Sequence, residues 1–531
     1  MIYLLIGTFF EGGSFTLSNF ATAFEGERTL EMVANSLWYA VGSTVLAMVT
    51  GTALAFVNAR TDAPFKGLVV AFAVVPIIMP AVLYAPAWIF LASPEIGLMN
   101  DLSRALFGGA IFDIYGMWGM IWVEGLHLSP IAFLLMMTAF RSMDPSLEEA
   151  GQVGGGRRSV VFRRITLPLT RPALTGATLL TLVLALESFE VPALIGMDAG
   201  IYVFTSQIYF LSGEYPPDLG AVGALSIALV GVVAVAVLLS RLASRGTASY
   251  QTITGKAFRP TPMELGKARP WVGAGLFIYF ALTVLAPLGA LAYASLLPYF
   301  RSLSVETLGL LTLDNYAALS ESDLWWSALR NSFILALGSA TVVMVLSVLV
   351  AWYVTRRTSR AKSLVEGLAL APLVIPGLVL GLGLMFMYLR VPLPIYGSLW
   401  ILLIAYATRF IPFGMRYAVA AMQQMADELE ESAYVSGATW GKAFTRIVLP
   451  LTSSGALGGW IFVVMVAFRE LSTSILLYSP TTQVLAVLIF QQFNQGSLNV
   501  LAATGVVMVA VLVSIILIAS KLGSRYGVQH Q

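Results

Sequence analysis

Eleven runs of about 20 apolar residues restrict the fold more than any other feature of this sequence. A helix of that length can cross a bilayer, because all its backbone hydrogen bonds are satisfied within the segment. The sequence therefore predicts an all-α, polytopic membrane protein. The runs lie at 36–58, 67–92, 116–140, 172–196, 219–242, 271–296, 328–352, 365–389, 397–421, 455–478 and 499–520.

The few polar residues exclude several functions. Charged residues make up 11% of the chain, against about 25% in soluble domains, and the net charge of +2 does not favour nucleic-acid binding. Cysteine is absent, and the only histidines are His127 and His530. Disulfides, iron–sulfur clusters and most zinc sites are therefore excluded.

The basic residues predict the topology. Of the 30 lysines and arginines, 22 fall in alternate connections, which the positive-inside rule assigns to the cytoplasm. The C-terminus is then cytoplasmic. The basic connections are 59–66, 141–171, 241–270, 353–364, 425–454 and the tail from Lys521.

The sequence contains an internal duplication. "NSLWYAVGS" from Asn35 aligns with "NSFILALGS" from Asn331 at an offset of 296. After a 14-residue contraction, Leu147–Leu169 aligns with Leu429–Leu451, and 11 of these 23 positions are identical. Both copies run in the same direction, so we expect a pseudo-two-fold axis along the membrane normal. Inverted repeats would instead place the equivalent loops on opposite membrane faces.

The duplication predicts two six-helix halves. We expect a first half at 1–242, a cytoplasmic linker at 243–270 and a second half at 271–531. The first half shows five spans and the short apolar start "MIYLLIGTFF". We interpret this start as the end of a truncated first helix, and a real lack of that helix is the alternative.

The polar segment "SGATWGKAF" superficially suggests a nucleotide-binding loop. Such a loop needs four residues between its glycines and a Ser or Thr after its lysine. Gly437 and Gly441 are separated by three residues, and Ala443 follows Lys442. The sequence therefore predicts no ATP site in this chain.

Both copies of the repeated polar segment share one spacing: Glu, two small residues, three variable residues, Gly, nine residues, Ile, any residue, and Leu-Pro. The glycine permits a sharp turn, and the proline suits the first turn of the next helix. The shared residues are Glu149, Ala150, Gly151, Gly155, Ile165, Leu167 and Pro168 in the first copy, and Glu431, Ser432, Ala433, Gly437, Ile447, Leu449 and Pro450 in the second.

This pattern resembles the EAA loop of permease subunits from binding-protein-dependent ABC importers of type I. The resemblance implies that each loop is a coupling helix seated on a separate ATPase subunit. It further implies two copies of that ATPase carrying ATP and Mg, a periplasmic substrate-binding protein, and location in the bacterial inner membrane. It also implies that this chain is not itself an enzyme. An amphipathic loop resting on the bilayer is the alternative interpretation.

Along its whole length the chain is similar to fused double permeases of the ferric-iron branch. The stretches that carry this similarity are "GTALAFVNARTDAPFKG", "HLSPIAFLL" and "FRELSTSILLYSP". Ferric iron is the implied cargo, and thiamine or an aminoethylphosphonate-type molecule remains an alternative. An ion-coupled secondary transporter is a rival class, although such a protein has no reason to carry two EAA loops.

Ionisable residues in or near the spans are candidates for the transport pathway, because charges there usually face a cavity or a partner. Glu187 aligns with Arg469 at an offset of 282, so we predict a polar gate between the halves, with Glu190 and Glu470 nearby. Helix ends wetted by headgroups are the alternative. Glu124 and His127 lie one helical turn apart, which favours a hydrogen bond over a metal site.

Two matched proline pairs are predicted to kink their spans, since proline removes a backbone donor. They are Pro76 and Pro80 in the first half, and Pro372 and Pro376 in the second. On the opposite side from the basic loops, the acidic segment 198–218 is a candidate surface for a binding protein with a basic rim.

Overall fold

The computed structural model is built almost entirely from helices and describes residues 1–11, 13–25, 27–67, 69–70, 78–144, 146–244, 263–301, 303–357, 359–391, 395 and 397–525. In the first part of the chain the α-helices are Ile2–Phe9, Ser18–Phe24, Glu27–Arg60, Ala81–Ala92, Leu98–Phe107, Met117–Ser142, Ser146–Val153, Arg158–Val161, Leu167–Glu187, Phe204–Gly213 and Leu219–Ser244. In the remainder they are Arg269–Phe280, Ala286–Ser295, Val305–Leu308, Asp314–Glu321, Asp323–Arg356, Ala361–Leu370, Gly377–Arg390, Leu399–Gln423, Asp427–Val435, Trp440–Ala443, Leu449–Phe468, Leu485–Asn494 and Leu498–Arg525.

Shorter elements join several of these helices. The π-helical turns are Phe162–Thr166, Pro192–Gly196, Ala281–Leu285 and Phe444–Val448, and the 3₁₀ turns are Met197–Ala199, Gly266–Ala268, Ala371–Val374 and Ser474–Leu476. One antiparallel pair of two-residue strands, Phe10–Glu11 and Ser14–Phe15, places Phe10 opposite Phe15.

Nine helices within the described residues are long and apolar enough to cross a membrane, and the number rises to 11 if two bent helix pairs each count as one span. The prediction of a polytopic all-α membrane protein is confirmed. Two predicted spans begin and end too late in the chain, since the observed spans are Phe162–Glu187 and Trp440–Phe468. The helix expected at 172–196 ends at Glu187 because Ser188 is extended, and the helix expected at 455–478 ends at Phe468.

The proline pairs act differently from the predicted mid-span kinks. Ile375 is extended, as expected of a residue that precedes proline, and Pro376 directly precedes the helix Gly377–Arg390. That helix is bent by 108° from Ala361–Val374. Pro80 likewise directly precedes Ala81–Ala92, whereas Pro76 lies outside the described residues. Pro80 and Pro376 therefore each begin a new helix after a break.

The chain divides into two compact units. The first-repeat unit comprises Phe20–Asp218 and Ala224–Thr312, and the second-repeat unit comprises Met1–Asn19, Leu219–Gly223 and Leu313–Gln531. The first residues of the chain thus belong to the second-repeat unit, in which Arg390 donates to the Tyr3 carbonyl at 3.2 Å. Much of the predicted linker lies outside the described residues, so the domain boundaries drawn from the repeats stay a prediction.

Within the first-repeat unit, the helices Glu27–Arg60, Met117–Ser142 and Leu167–Glu187 pack together. Gly51 permits the close approach, since a Cβ there would lie 2.6 Å from Cβ of Ala132. This packing fixes the end of the first helix, Arg60, beside the repeated polar segment.

The second-repeat unit uses the same plan. Its helices Asp323–Arg356, Leu399–Gln423 and Leu449–Phe468 pack together. Gly414 lies against this core, since a Cβ there would come within 2.6 Å of Cγ1 of Val343. Arg356 ends the first of these helices and therefore takes the place that Arg60 takes in the other unit.

Candidate functional site

The two repeated polar segments form equivalent helix–turn–helix loops, which we call coupling loop 1 (Ser146–Thr166) and coupling loop 2 (Asp427–Val448). Gly155 and Gly437 turn the chain at φ values of +81° and +84°, a left-handed conformation that favours glycine. The predicted turns are confirmed. Pro168 and Pro450 each lie in the first turn of the helix that follows, also as predicted.

An ion pair anchors coupling loop 1. Arg60 lies 3.7 Å from the Glu148 carboxylate, and its side chain is 6% exposed. The same guanidinium donates to the Met143 carbonyl at 3.0 Å, and the Thr166 hydroxyl donates to Glu148 at 2.5 Å. One arginine from a spanning helix and one threonine from the end of the loop therefore fix the loop's first helix.

Coupling loop 2 has the same anchor with more partners. Arg356 pairs with Asp427 and lies 3.6 Å from Glu430. Glu430 also accepts hydrogen bonds from Nε1 of Trp352 at 2.9 Å and from the Tyr434 hydroxyl at 2.7 Å. A single buried carboxylate thus joins the spanning helix to the loop.

Aromatic side chains complete the packing of coupling loop 2. The rings of Trp440 and Phe444 stack with centroids 5.3 Å apart, and Trp352 meets Trp440 edge-on at 5.3 Å. In coupling loop 1, Phe162 instead meets Phe56 edge-on at 5.1 Å. The second loop therefore rests on a larger aromatic surface than the first.

The predicted coupling residues divide by exposure. Glu149 and Glu431 point outward, whereas Gly151, Ala433, Ile165 and Ile447 are half-buried between the helices. Of the other predicted coupling residues, Leu167 and Pro168 are half-buried. The remaining ones are exposed, namely Ala150, Gly155, Ser432, Gly437, Leu449 and Pro450. The sequence spacing thus identified both outward-facing glutamates and the turn that presents them.

Sequence reasoning missed four residues of these loops. Glu148 and Glu430, each directly before a predicted glutamate, anchor the loops, and Glu148 is half-buried whereas Glu430 is buried. Val153 and Val435 are each 90% exposed at the ends of the loops' first helices. The repeat carried the signal, because both pairs are identical at an offset of 282, and Arg60 matches Arg356 at an offset of 296.

The residues predicted to form a gate are distributed over both units. Glu187 ends a helix of the first-repeat unit, and Arg469 follows a helix of the second-repeat unit. Both are half-buried. The gate between them stays a prediction.

Glu470 belongs to a polar cluster inside the second-repeat unit. Its carboxylate lies 3.4 Å from Nε of Arg409 and accepts from the Thr473 amide at 2.9 Å. Arg409 also donates to the Thr473 hydroxyl at 3.1 Å, and the Tyr406 hydroxyl donates to the Glu470 carbonyl at 3.3 Å. A side chain at Gly377 would collide with the guanidinium. The cluster therefore joins the middle of the helix Leu399–Gln423 to the end of Leu449–Phe468 and the start of Gly377–Arg390.

The first-repeat unit has different side chains at the positions equivalent to the Glu470 cluster. Glu124, His127 and Ser188 align with Tyr406, Arg409 and Glu470 at an offset of 282. Glu124 is 3% exposed and hydrogen-bonds with Ser188 and Tyr39. These bonds tie Glu124 to other segments of the unit, so each repeat fills the same position with a different polar network.

His127 and Glu190 complete the set of predicted pathway residues. The His127 ring lies 5.5 Å from the Tyr84 ring. Glu190 is half-buried, and its carboxylate accepts from the Phe189 amide at 3.4 Å. No group of three or more His, Cys, Asp or Glu side chains within the described residues has the geometry to hold a metal ion.

Two duplicated, anchored loops on a polytopic helical protein define the membrane-spanning permease of an importer. The chain belongs to the family described as binding-protein-dependent transport system inner membrane component, whose model matches residues 43–249 and 324–525. The resemblance inferred from the EAA loops is therefore confirmed, and both repeats carry the family domain.

The relatives cover nearly the whole chain. A ferric transport system permease protein of Actinobacillus pleuropneumoniae is 25% identical over 97% of this chain and 74% of its own length. A Fe(3+)-transport system permease protein of Haemophilus influenzae is 23% identical over 92% of this chain and 88% of its own. The thiamine transport system permease protein of Brucella abortus is 25% identical over 89% and 84%.

Proposed function

We propose that this chain is the permease subunit of an ATP-driven importer and that coupling loops 1 and 2 each seat on one copy of a separate ATPase subunit. The observation that carries the proposal is the pair of valines, Val153 and Val435, each 90% exposed at the same place in its loop. Each valine lies one helical turn from an exposed glutamate, Glu149 or Glu431, so both loops present the same apolar and acidic side chains to a partner.

Two arginine–glutamate ion pairs explain how a movement of the ATPase would pass from the loops to the spanning helices. Arg60 and Arg356 end spanning helices, and each pairs with a glutamate on the loop's first helix. A movement of the ATPase that pulls the valine therefore also pulls the spanning helix. ATP and Mg are held by the partner subunits in this proposal, and a periplasmic binding protein delivers the cargo to the opposite face.

The docking proposal is tested with Val153→Asp and Val435→Asp in the complex of the full chain with its ATPase. We expect loss of ATPase copurification and at least a tenfold loss of uptake, with the thermal stability of the permease unchanged because both side chains are exposed. Val153→Thr and Val435→Thr are the size-matched controls and should retain uptake. Normal uptake by the two aspartate variants together would refute docking at the valines.

The proposed cargo is ferric iron, because relatives named for ferric transport align with more than nine-tenths of the chain. Thiamine is the second candidate, supported by the relative of that name. An aminoethylphosphonate-type molecule is the third, from sequence resemblance alone. Uptake of each compound by proteoliposomes with the ATPase and the binding protein would separate them. Uptake without ATP, driven by an ion gradient, would instead indicate a secondary transporter.

A further inference from the structure

One external connection in the first repeat has no counterpart in the second. Residues 93–116 join Ala81–Ala92 to Met117–Ser142 and contain the helix Leu98–Phe107, whereas the equivalent connection in the second repeat is only 391–398. This extra segment accounts for the 14-residue contraction in the repeat alignment. It precedes the helix Met117–Ser142, whose other end leads into coupling loop 1, so the two lie at opposite ends of one spanning helix.

The helix Leu98–Phe107 turns two of its polar residues, Asn100 and Ser103, inward. Asn100 is fully buried, and its side-chain amide donates to the carbonyls of Ser93 at 2.8 Å and Phe112 at 2.7 Å. Its side-chain oxygen accepts from the amides of Ile111 at 3.0 Å and Phe112 at 2.9 Å. Ser103 is also buried and donates to the Gly109 carbonyl. These bonds fix the rotation of the helix about its axis.

Three apolar residues at the end of this helix consequently point outward. Leu102 and Leu106 lie one turn apart and are 62% and 65% exposed, and Phe107 is 73% exposed. Ile111 and Phe112, whose amides bond to Asn100, are likewise exposed at 60% and 40%. We call these five residues the external apolar face.

The basic residue of this segment, Arg104, is held by groups of the segment itself. Arg104 pairs with Asp101 at 3.0 Å and also donates to the carbonyls of Pro94 at 2.9 Å and Glu95 at 3.0 Å. A soluble partner that binds reversibly usually meets a polar rim with hydrogen-bonding groups. The five side chains of the external apolar face have no hydrogen-bonding groups, which favours lipid as the molecule that covers them.

Interfacial tryptophans mark where this face lies relative to the bilayer. Trp118, in the first turn of the next spanning helix, is 72% exposed, and its ring meets that of Trp38, 53% exposed, at 5.8 Å. Tryptophan is enriched at the boundary between headgroups and acyl chains. Phe112, the last residue of the external apolar face, lies only six residues before Trp118 in the chain, so the face ends close to a residue that suits this boundary.

We propose that the helix Leu98–Phe107 is an interfacial helix, lying in the membrane surface opposite the coupling loops with its apolar face in the acyl boundary. Such helices bind through buried apolar area and lie in the plane of the interface. The first repeat alone carries this anchor, so it would fix one half of the permease to the lipid more firmly than the other. The proposal is independent of the cargo and of the ATPase.

The absence of cysteine from the sequence makes a clean test possible, since each introduced cysteine is unique. Leu106→Cys and Ile111→Cys are spin-labelled in the full chain, reconstituted without a binding protein into vesicles of phosphatidylethanolamine and phosphatidylglycerol. We expect the ratio of oxygen to nickel-chelate accessibility to be severalfold higher at both sites than at the exposed Glu95→Cys control. Val45→Cys, at a position 56% exposed on a spanning helix, is the lipid-facing reference.

Two results would overturn the proposal. Ratios at Leu106→Cys and Ile111→Cys equal to that of Glu95→Cys mean that water covers the face. Nickel protection that develops only after addition of the purified binding protein assigns the face to that partner instead of to lipid.

Discussion

Coupling loops 1 and 2 have the same backbone plan but are held by different numbers of contacts. Both use an arginine at the end of a spanning helix, a glutamate that pairs with it and a glycine at positive φ. The glutamate of loop 1 is held by Arg60 and Thr166, whereas that of loop 2 is held by Arg356, Trp352 and Tyr434.

Comparison of the two loops distinguishes the residues that both loops share from the residues that differ between the repeats. The shared outward residues are Glu149 with Val153, and Glu431 with Val435, which are identical pairs. The changed residues lie behind them, where the loop meets its own unit. Two identical outward faces suit two copies of one partner, while the packing behind each face sets the local stability of its loop.

The largest expected effect is from removal of the anchoring glutamates. Glu430→Ala deprives Arg356, Trp352 and Tyr434 of their shared partner and should lower the local stability of loop 2 by about 3 kcal/mol. Glu148→Ala should cost loop 1 about 1–2 kcal/mol, because its glutamate has fewer partners and is 17% exposed. Amide hydrogen exchange of Asp427–Val435 and Ser146–Val153 measures both changes.

The adjacent glutamates provide the control for that comparison. Glu431→Ala and Glu149→Ala remove exposed side chains and should leave exchange in both loops unchanged. If Glu148→Ala destabilised its loop as much as Glu430→Ala, the extra partners in loop 2 would contribute nothing.

The turn glycines should respond equally in the two loops. Gly155→Ala and Gly437→Ala each force a side chain into the left-handed region at a cost of roughly 1–2 kcal/mol. No atom lies within 4 Å of a Cβ built at either position, so backbone strain is the whole effect. Gly441→Ala is the matched control, because that site is equally open but has no positive φ. Unequal losses, again measured by hydrogen exchange, would contradict a common turn.

Only loop 2 should show an alkaline transition. Burial and the hydrogen bond to Glu430 raise the pKa of Tyr434 from its ordinary value of 10.0 to about 12. Because the folded state holds this proton more tightly than the unfolded state, the stability it contributes is fully present below pH 10.0 and is lost as pH rises to about 12.

The tyrosinate absorbance of the wild type minus that of Tyr434→Phe gives the midpoint directly. Position 152 of loop 1, the equivalent of Tyr434, is Gln152 and does not titrate. A midpoint of the difference titration near 10 would mean that Tyr434 is not shielded by the loop.

The smallest effect should follow from swapping one small residue that differs between the loops' first helices, Gly151 in loop 1 and Ala433 in loop 2. Gly151→Ala gives loop 1 the alanine that loop 2 has at Ala433, and the new Cβ would meet Cδ1 of Ile165 at 2.7 Å. The gain of up to about 1 kcal/mol in helix propensity is offset by the shift of that methyl group. Amide hydrogen exchange in Ser146–Val153 should therefore change little. Ala433→Gly loses helix propensity without relieving a close contact, so it should weaken loop 2 by about 1 kcal/mol.

Much of the site was predictable because it depends on local chemistry. The repeat spacing identified the loops, their turn glycines and the prolines that begin the next helices. It selected Glu149 and Glu431 and overlooked their neighbours Glu148 and Glu430. Which of two adjacent glutamates points inward depends on the rotation of a short helix, and an arginine on a distant spanning helix sets that rotation.

By itself the sequence determined the number and approximate position of the apolar spans, the duplication and the two coupling loops, because hydrophobic length, glycine and proline act within a few residues. Only the tertiary structure decided where the spans break, which carboxylates are buried, and that the helix Leu98–Phe107 turns its leucines outward. The physical reason is that a buried polar group takes whichever partner the packing brings within hydrogen-bonding distance, and for Glu148, Glu430 and Glu470 that partner comes from a segment far away in the chain.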